Sequence, residues 1–238
     1  MKSIICLILD RSGSMQGREN DVIGGVNSFL DEQKKLPDPA SIAFVRFDTD
    51  ATERFRPMQA LAECHPLTKA DYQPRGGTPL LDAIGKTITD LDEDWKREQP
   101  ERAIVVIVTD GEENASREYK KAKIAEMIKA RQDSGKWAFI YLGANVDAFQ
   151  EAGSMGINAA NTAGYQNTVM GTKSMYAATS NAVGMMRSSG VTAAVNLGGN
   201  IEEDGTVTKK NVAGPAIPSA AAQPWTEPKP AQTWTPPT

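Results

Sequence analysis

Histidine is almost missing from this sequence, with His65 the single example in 238 residues. A metal centre built on paired imidazoles is therefore excluded, and a Ser-His hydrolase would have to rely on that one residue. Cysteine is nearly as scarce. Cys6 and Cys64 form no CxxC pair, which leaves no zinc ribbon and no disulfide framework. Positive charge is not in excess either: 26 Lys and Arg face 30 Asp and Glu, for a net charge of -4. A general nucleic-acid binder or a protein of anionic membrane surfaces would want the opposite balance. No apolar run approaches the ~18 residues a membrane span needs. The opening apolar run stops at Asp10, too short for a secretory signal, so a reducing, cytoplasmic setting is expected.

What the sequence does have is alternation. Buried-strand runs at 3–9 (SIICLIL), 103–110 (AIVVIVTD) and 137–144 (WAFIYLGA) are separated by stretches with helical spacing. Val22, Val26, Phe29 and Leu30 mark a helix within 17–36; Leu80, Leu81, Ile84, Ile88 and Leu91 mark another over 78–91. A third is expected over 116–132, with Ile124, Met127 and Ile128 inside and a basic outer face. SIAFVRF (41–47) and ATERFRPM (51–58) read as a hairpin whose charged second strand suits an edge. A short helix within 145–153, a last strand within 157–165 and a last helix over 168–187 complete the pattern. The expected fold is α/β: a doubly wound, mostly parallel sheet with one antiparallel edge strand and helices on both faces. It spans residues 1–190. Residues 191–238 are expected to be an Ala/Pro/Thr-rich, disordered tail.

In open sheets of this kind ligands sit beyond the carboxyl ends of the strands. Three segments bring oxygen atoms there: Asp10-Arg11-Ser12-Gly13-Ser14 after the first strand, Gly76-Gly77-Thr78-Pro79 before a helix, and Asp110-Gly111 after the central strand. Each has an ordinary explanation. Ser14 can cap a helix, Thr78 and Pro79 suit N-cap and N1, and Asp-Gly suits a turn. Together they are harder to dismiss, because two buried strands ending in Asp at one edge need a cation or a hydrogen-bond network to offset repulsion. The donors are all hard oxygens, which suits Mg²⁺ or Mn²⁺. Ser12, Ser14 and Thr78 would bind through hydroxyls, with Asp10 and Asp110 acting through water or through those hydroxyls.

DRSGSM, GGTPL and VTDGEEN resemble the three segments of the metal-ion-dependent adhesion site of von Willebrand factor type A (VWA) domains. The family's Asp-x-Ser-x-Ser, Thr and Asp fall on Asp10, Ser12, Ser14, Thr78 and Asp110. YLGANVDAFQEAGSMGI resembles the small intracellular bacterial and phage members of the family. The resemblance implies a non-enzymatic, metal-dependent module that captures an acidic side chain of a protein partner. It places that module in the cytoplasm, or on a virion if phage-encoded.

Two other functions compete. An assembly component, for example of a phage particle, would use the tail to dock on neighbours. The tail repeats a motif, QPWTEP (223–228) and QTWTPP (232–237), which offers Trp225 and Trp234 for a second partner or a self-contact. A metal-dependent phosphohydrolase is the enzymatic reading. Ser12 stands where haloacid-dehalogenase-type phosphatases need their second acid, however. Gly85-Lys86-Thr87 is no P-loop, because Leu80 occupies the position of the required glycine.

Overall fold

The computed structural model describes residues 2–144, 147–191, 195 and 197–209. The tail motifs with Trp225 and Trp234 lie outside the described residues. Five strands and three helices come first: β1 (Ser3–Asp10), α1 (Glu19–Lys34), β2 (Ala40–Phe47), β3 (Thr52–Ala60), α2 (Leu80–Glu98), β4 (Arg102–Thr109), α3 (Lys121–Gln132) and β5 (Trp137–Ala144). Then come α4 (Ala148–Ser154), β6 (Thr162–Tyr165), α5 (Val169–Ser189), β7 (Gly199–Ile201) and β8 (Val207–Lys209). One sheet joins all eight strands in the order β3-β2-β1-β4-β5-β6-β7-β8. The six central strands run parallel, and β3 pairs antiparallel with β2.

β1, β4 and β5 are buried along their whole length, as their unbroken apolar sequences require of strands covered on both faces. Side chains of successive residues point to opposite faces. Ile5, Leu7, Val106 and Ile140 pack beneath α1 and α5; Ile4, Ile8, Val105 and Phe139 pack beneath α2, α3 and α4. Among the described residues no helix is long and apolar enough to cross a membrane.

The sheet runs on past residue 190. β7 and β8 add to it, and β8 closes the far edge with a second antiparallel pairing. Strands of three residues carry no periodicity to read. The strand expected within 157–165 is confined to 162–165, with a 3-10 turn at Ala159–Asn161 before it. α3 begins at Lys121 rather than 116, because the Asp82 carboxylate accepts the backbone N–H groups of Arg117, Glu118 and Tyr119 at 2.8–3.0 Å. The cations of α3 pair with neighbouring carboxylates, Lys121 with Glu151 and Lys129 with Asp133 among them.

α1 and α5 touch closely at one point. A Cβ on Gly25 would fall 2.1 Å from Cδ2 of Tyr176, so the ring lies directly on the α1 backbone. The preceding Gly24 has open space around it. The two substitutions should therefore differ in sign. Gly25→Ala should lose about 1–3 kcal/mol through overpacking, whereas Gly24→Ala should gain up to ~1 kcal/mol from helix propensity. Urea unfolding of the two variants measures the difference, and equal effects would contradict this packing.

Candidate metal centre

The strand order places a switch point between β1 and β4. From β1 the chain winds through α1 to β2 on one side; from β4 it winds through α3 to β5 on the other. The carboxyl ends of β1 and β4 therefore flank the crevice where doubly wound sheets hold their ligands. Asp10 ends β1, and Asp110 follows β4 directly.

Asp10 is buried and fully engaged. Its Oδ1 accepts the Ser12 backbone N–H at 2.7 Å, and its Oδ2 accepts the Thr109 hydroxyl at 2.6 Å. Burial pushes its pKa up to about 6, against those hydrogen bonds, and the Asp110 charge adds to the rise. The Tyr72 hydroxyl donates to the Asp10 carbonyl. Ser12 and Ser14 then turn their hydroxyls toward each other at 3.0 Å, and the Ser14 hydroxyl donates to Asp110 Oδ1 at 2.6 Å. Asp10, Ser12, Thr78 and Asp110 are buried while Ser14 is exposed, so the group opens to solvent on the Ser14 side.

Thr78 arrives on a loop pinned from both sides. Gly13 N–H donates to the Gly76 carbonyl at 2.8 Å, and Arg75 N–H to the Arg11 carbonyl at 2.7 Å. On the other side Asn114 Oδ1 accepts Thr78 N–H at 2.9 Å, and Asn114 N–H returns to the Thr78 carbonyl at 3.2 Å. The Arg11 side chain leaves the crevice altogether, lying 2.6 Å from Asp48 as a buried ion pair.

The capping explanations fail for both hydroxyl positions. Ser14 sits inside the 3-10 turn Gly13–Met15, and neither that turn nor α1 receives a side-chain cap. α2 begins after Pro79, likewise without a side-chain cap from that residue. Its first amides are satisfied by the loop after β4: Leu81 N–H donates to Glu113 Oε2 at 2.9 Å and Asp82 N–H to Ser116 Oγ at 3.1 Å. At Asp110-Gly111 the glycine is not there to supply a left-handed backbone, because Gly111 is not in that region. What it lacks is room: a Cβ there would meet Thr78 Oγ1 at 3.0 Å and Ser14 Oγ at 3.7 Å.

All five predicted residues thus gather around one crevice. Four further contributors were not singled out from the sequence. Thr109 orients Asp10, Glu113 and Asn114 hold the Thr78 loop, and Asn167 Nδ2 approaches Asp110 Oδ2 at 3.3 Å. Glu113 and Asn114 lie within VTDGEEN, where only Asp110 was given a role. Asn167 lies outside every recognisable segment. Among the described residues no three His, Cys, Asp or Glu side chains gather to hold a metal. The crevice offers three hydroxyls, with the two carboxylates hydrogen-bonded behind them.

The profile of the family described as VWA domain containing CoxE-like protein matches residues 2–134. The chain belongs to this VWA family. The matched stretch includes all five predicted site residues; Asn167 and α5 lie beyond it. Solved structures agree on the fold. The SpRpn10 VWA domain superposes with a TM-score of 0.53 at 11% identity, over 75% of this chain and 95% of that one. The von Willebrand factor type A protein from Catenulispora acidiphila gives 0.53 at 15% identity, over 80% and 43%. The pilus adhesin SpaC from Lactobacillus rhamnosus GG, in its open conformation, gives 0.56 at 12%, over 76% and 30%. This VWA domain therefore spans less than half the length of the latter two. A search of the curated proteins finds no match.

Proposed function

We propose that this VWA domain is a protein-binding module that holds Mg²⁺ or Mn²⁺ at the carboxyl edge of its sheet and captures an acidic side chain of a partner through it. The observation that carries this reading is the use of the hydroxyl protons. The Ser14 proton goes to Asp110, so Ser12 donates to Ser14, and each oxygen keeps lone-pair capacity for a cation. Ser12, Ser14 and Thr78 would hold the ion, while Asp10 and Asp110 would act through water or the hydroxyls. Hard-oxygen donors of this kind suit a hard divalent cation and place little negative charge on it. When bound, the ion supplies an electrophilic centre with a position open to an outside carboxylate. It also offsets the repulsion between two carboxylates at one sheet edge. The resemblance to intracellular bacterial and phage-type members favours a cytoplasmic or virion-associated partner.

Calorimetry with MgCl₂ and MnCl₂ tests the site. Ser14→Ala and Thr78→Ala are each expected to weaken binding by about 10-fold or more, the range seen when groups around a metal are removed. Unchanged affinity in both variants would reject the assignment. Hydrolysis of a phosphate monoester by the metal-loaded protein, lost on the same substitutions, would favour the phosphohydrolase instead.

A further inference from the structure

Among the described residues the exposed large apolar side chains are Val169, Met170 and Met185, and all three lie on α5. Single exposed apolar side chains are ordinary; the informative feature is that two of these three line one groove. Met170 and Met185 belong to a groove of about 490 Å³ that runs along α5. Its far wall is the β7–β8 hairpin, with Val207 facing the helix. Between the two methionines the helix contributes small residues to the lining, Ser174, Ala177, Ala178 and Ala182. Lys173 lies on the helix side of the rim, Glu203 and Asp204 on the hairpin side.

The chain itself leads out from this wall. β8 ends at Lys209, two residues beyond Val207, and residues 210–238 follow. We propose that the groove is the docking site of this chain's own C-terminal segment, residues 223–237, with Trp225 and Trp234 as the two anchors.

The dimensions agree. Met170 and Met185 stand about 22 Å apart along the helix at ~1.5 Å per residue. Trp225 and Trp234 are about 28 Å apart in a polyproline II conformation at ~3.1 Å per residue, so the segment reaches both ends without full extension. The stretch from Lys209 to Trp225 can span up to roughly 55 Å, more than the length of the groove. Pro224, Pro228, Pro230, Pro236 and Pro237 limit the entropy lost on docking. Methionine side chains adapt to an incoming ring and favour sulfur–aromatic contact. Charge matches too: Glu227 and Lys229 lie between the two Trp residues, opposite in sign to Lys173 and to Glu203 with Asp204. Attachment through a short linker gives an effective concentration of about millimolar, so even a weak groove fills from its own chain before a second copy competes.

Methyl NMR of the full-length protein, labelled at methionine, tests this. The Met170 and Met185 methyl signals should be shifted by the tryptophan ring currents. Both should return to the exposed-methionine position in Trp225→Ala/Trp234→Ala, while the buried Met15 stays put. The shifts should not change on dilution or on adding Mg²⁺. In the converse variant, Met170→Lys/Met185→Lys, both substitutions are at exposed positions that the fold does not need. There the Trp225 and Trp234 indole N–H signals should move to those of the free peptide. Methionine signals indifferent to the loss of both Trp residues would overturn the proposal. Shifts that fade on dilution would assign the groove to the tail of a second copy and overturn docking within one chain.

Discussion

Gly111→Val should abolish the stabilisation by Mg²⁺ or Mn²⁺ that the proposed site implies. Wild-type protein at a cation concentration of 100 Kd should gain about 2.7 kcal/mol, which raises Tm by roughly 2–4 °C per kcal/mol for a domain of this size. In the variant that rise should vanish. The backbone of Gly111 lies outside the left-handed region, so a β-branched residue meets no penalty from φ there. The obstacle is local. The new Cβ would stand 3.0 Å from Thr78 Oγ1 and 3.7 Å from Ser14 Oγ, and two further methyls add bulk beside both hydroxyls. Gly111→Ala brings the Cβ without the methyls and should weaken binding by about tenfold, or ~1.4 kcal/mol. Thermal unfolding of both variants with and without cation separates the outcomes. A full metal-dependent rise in Gly111→Val would mean that the ion, if bound, lies elsewhere.

Arg187→Ala should cost about 3–5 kcal/mol, because it strips the donor from three carbonyl-type acceptors at about 1–3 kcal/mol each, and lower Tm by roughly 10 °C. Arg187 is only 1% exposed. Its Nη1 donates to the Gln33 carbonyl at 2.7 Å and to Gln33 Oε1 at 3.0 Å, and its Nη2 to the Asp38 carbonyl at 2.5 Å. One guanidinium therefore ties the end of α5 to the end of α1 and the turn beyond it. Burial lowers its pKa, partly countered by the Asp38 charge. Arg102 completes the arrangement by donating from Nη1 to the Met186 and Arg187 carbonyls, where a cation favours a helix C-terminus. Arg187→Met keeps the aliphatic stem and should recover part of the loss. A methionine variant as stable as wild type would show that the desolvation of the guanidinium cancels its hydrogen bonds.

How much of this was legible depended on sequence distance. Strands β1, β4 and β5 announce themselves, since eight consecutive buried residues leave an uninterrupted apolar run. The crevice residues could be read for a related reason: each follows directly on a strand or precedes a helix whose apolar face is plain. The supports could not. The start of α3 depends on Asp82, a residue in another helix more than thirty positions earlier. Asn167 reaches Asp110 only because β6 and β5 are neighbours in the sheet. Arg187 reads as a solvated end of a helix until its partners on α1 are known. β7 and β8 have too few residues to show a period, and their pairing is fixed by the parallel strand beside them.

The partnership of α1 with α5 also sets a schedule for synthesis. α1 presents Val22, Val26, Phe29 and Leu30, and much of what covers them is α5, through Tyr176, Val183 and Met186. At roughly 5–20 residues per second, a ribosome takes about 8–30 s to travel from Lys34 to Ser189. For that interval the nascent domain carries an uncovered apolar helix and lacks the last strands of its sheet. Chaperone capture and co-translational misassembly should therefore concentrate on the first helix, and slow codons within α5 and the stretch just after it should lengthen the risk.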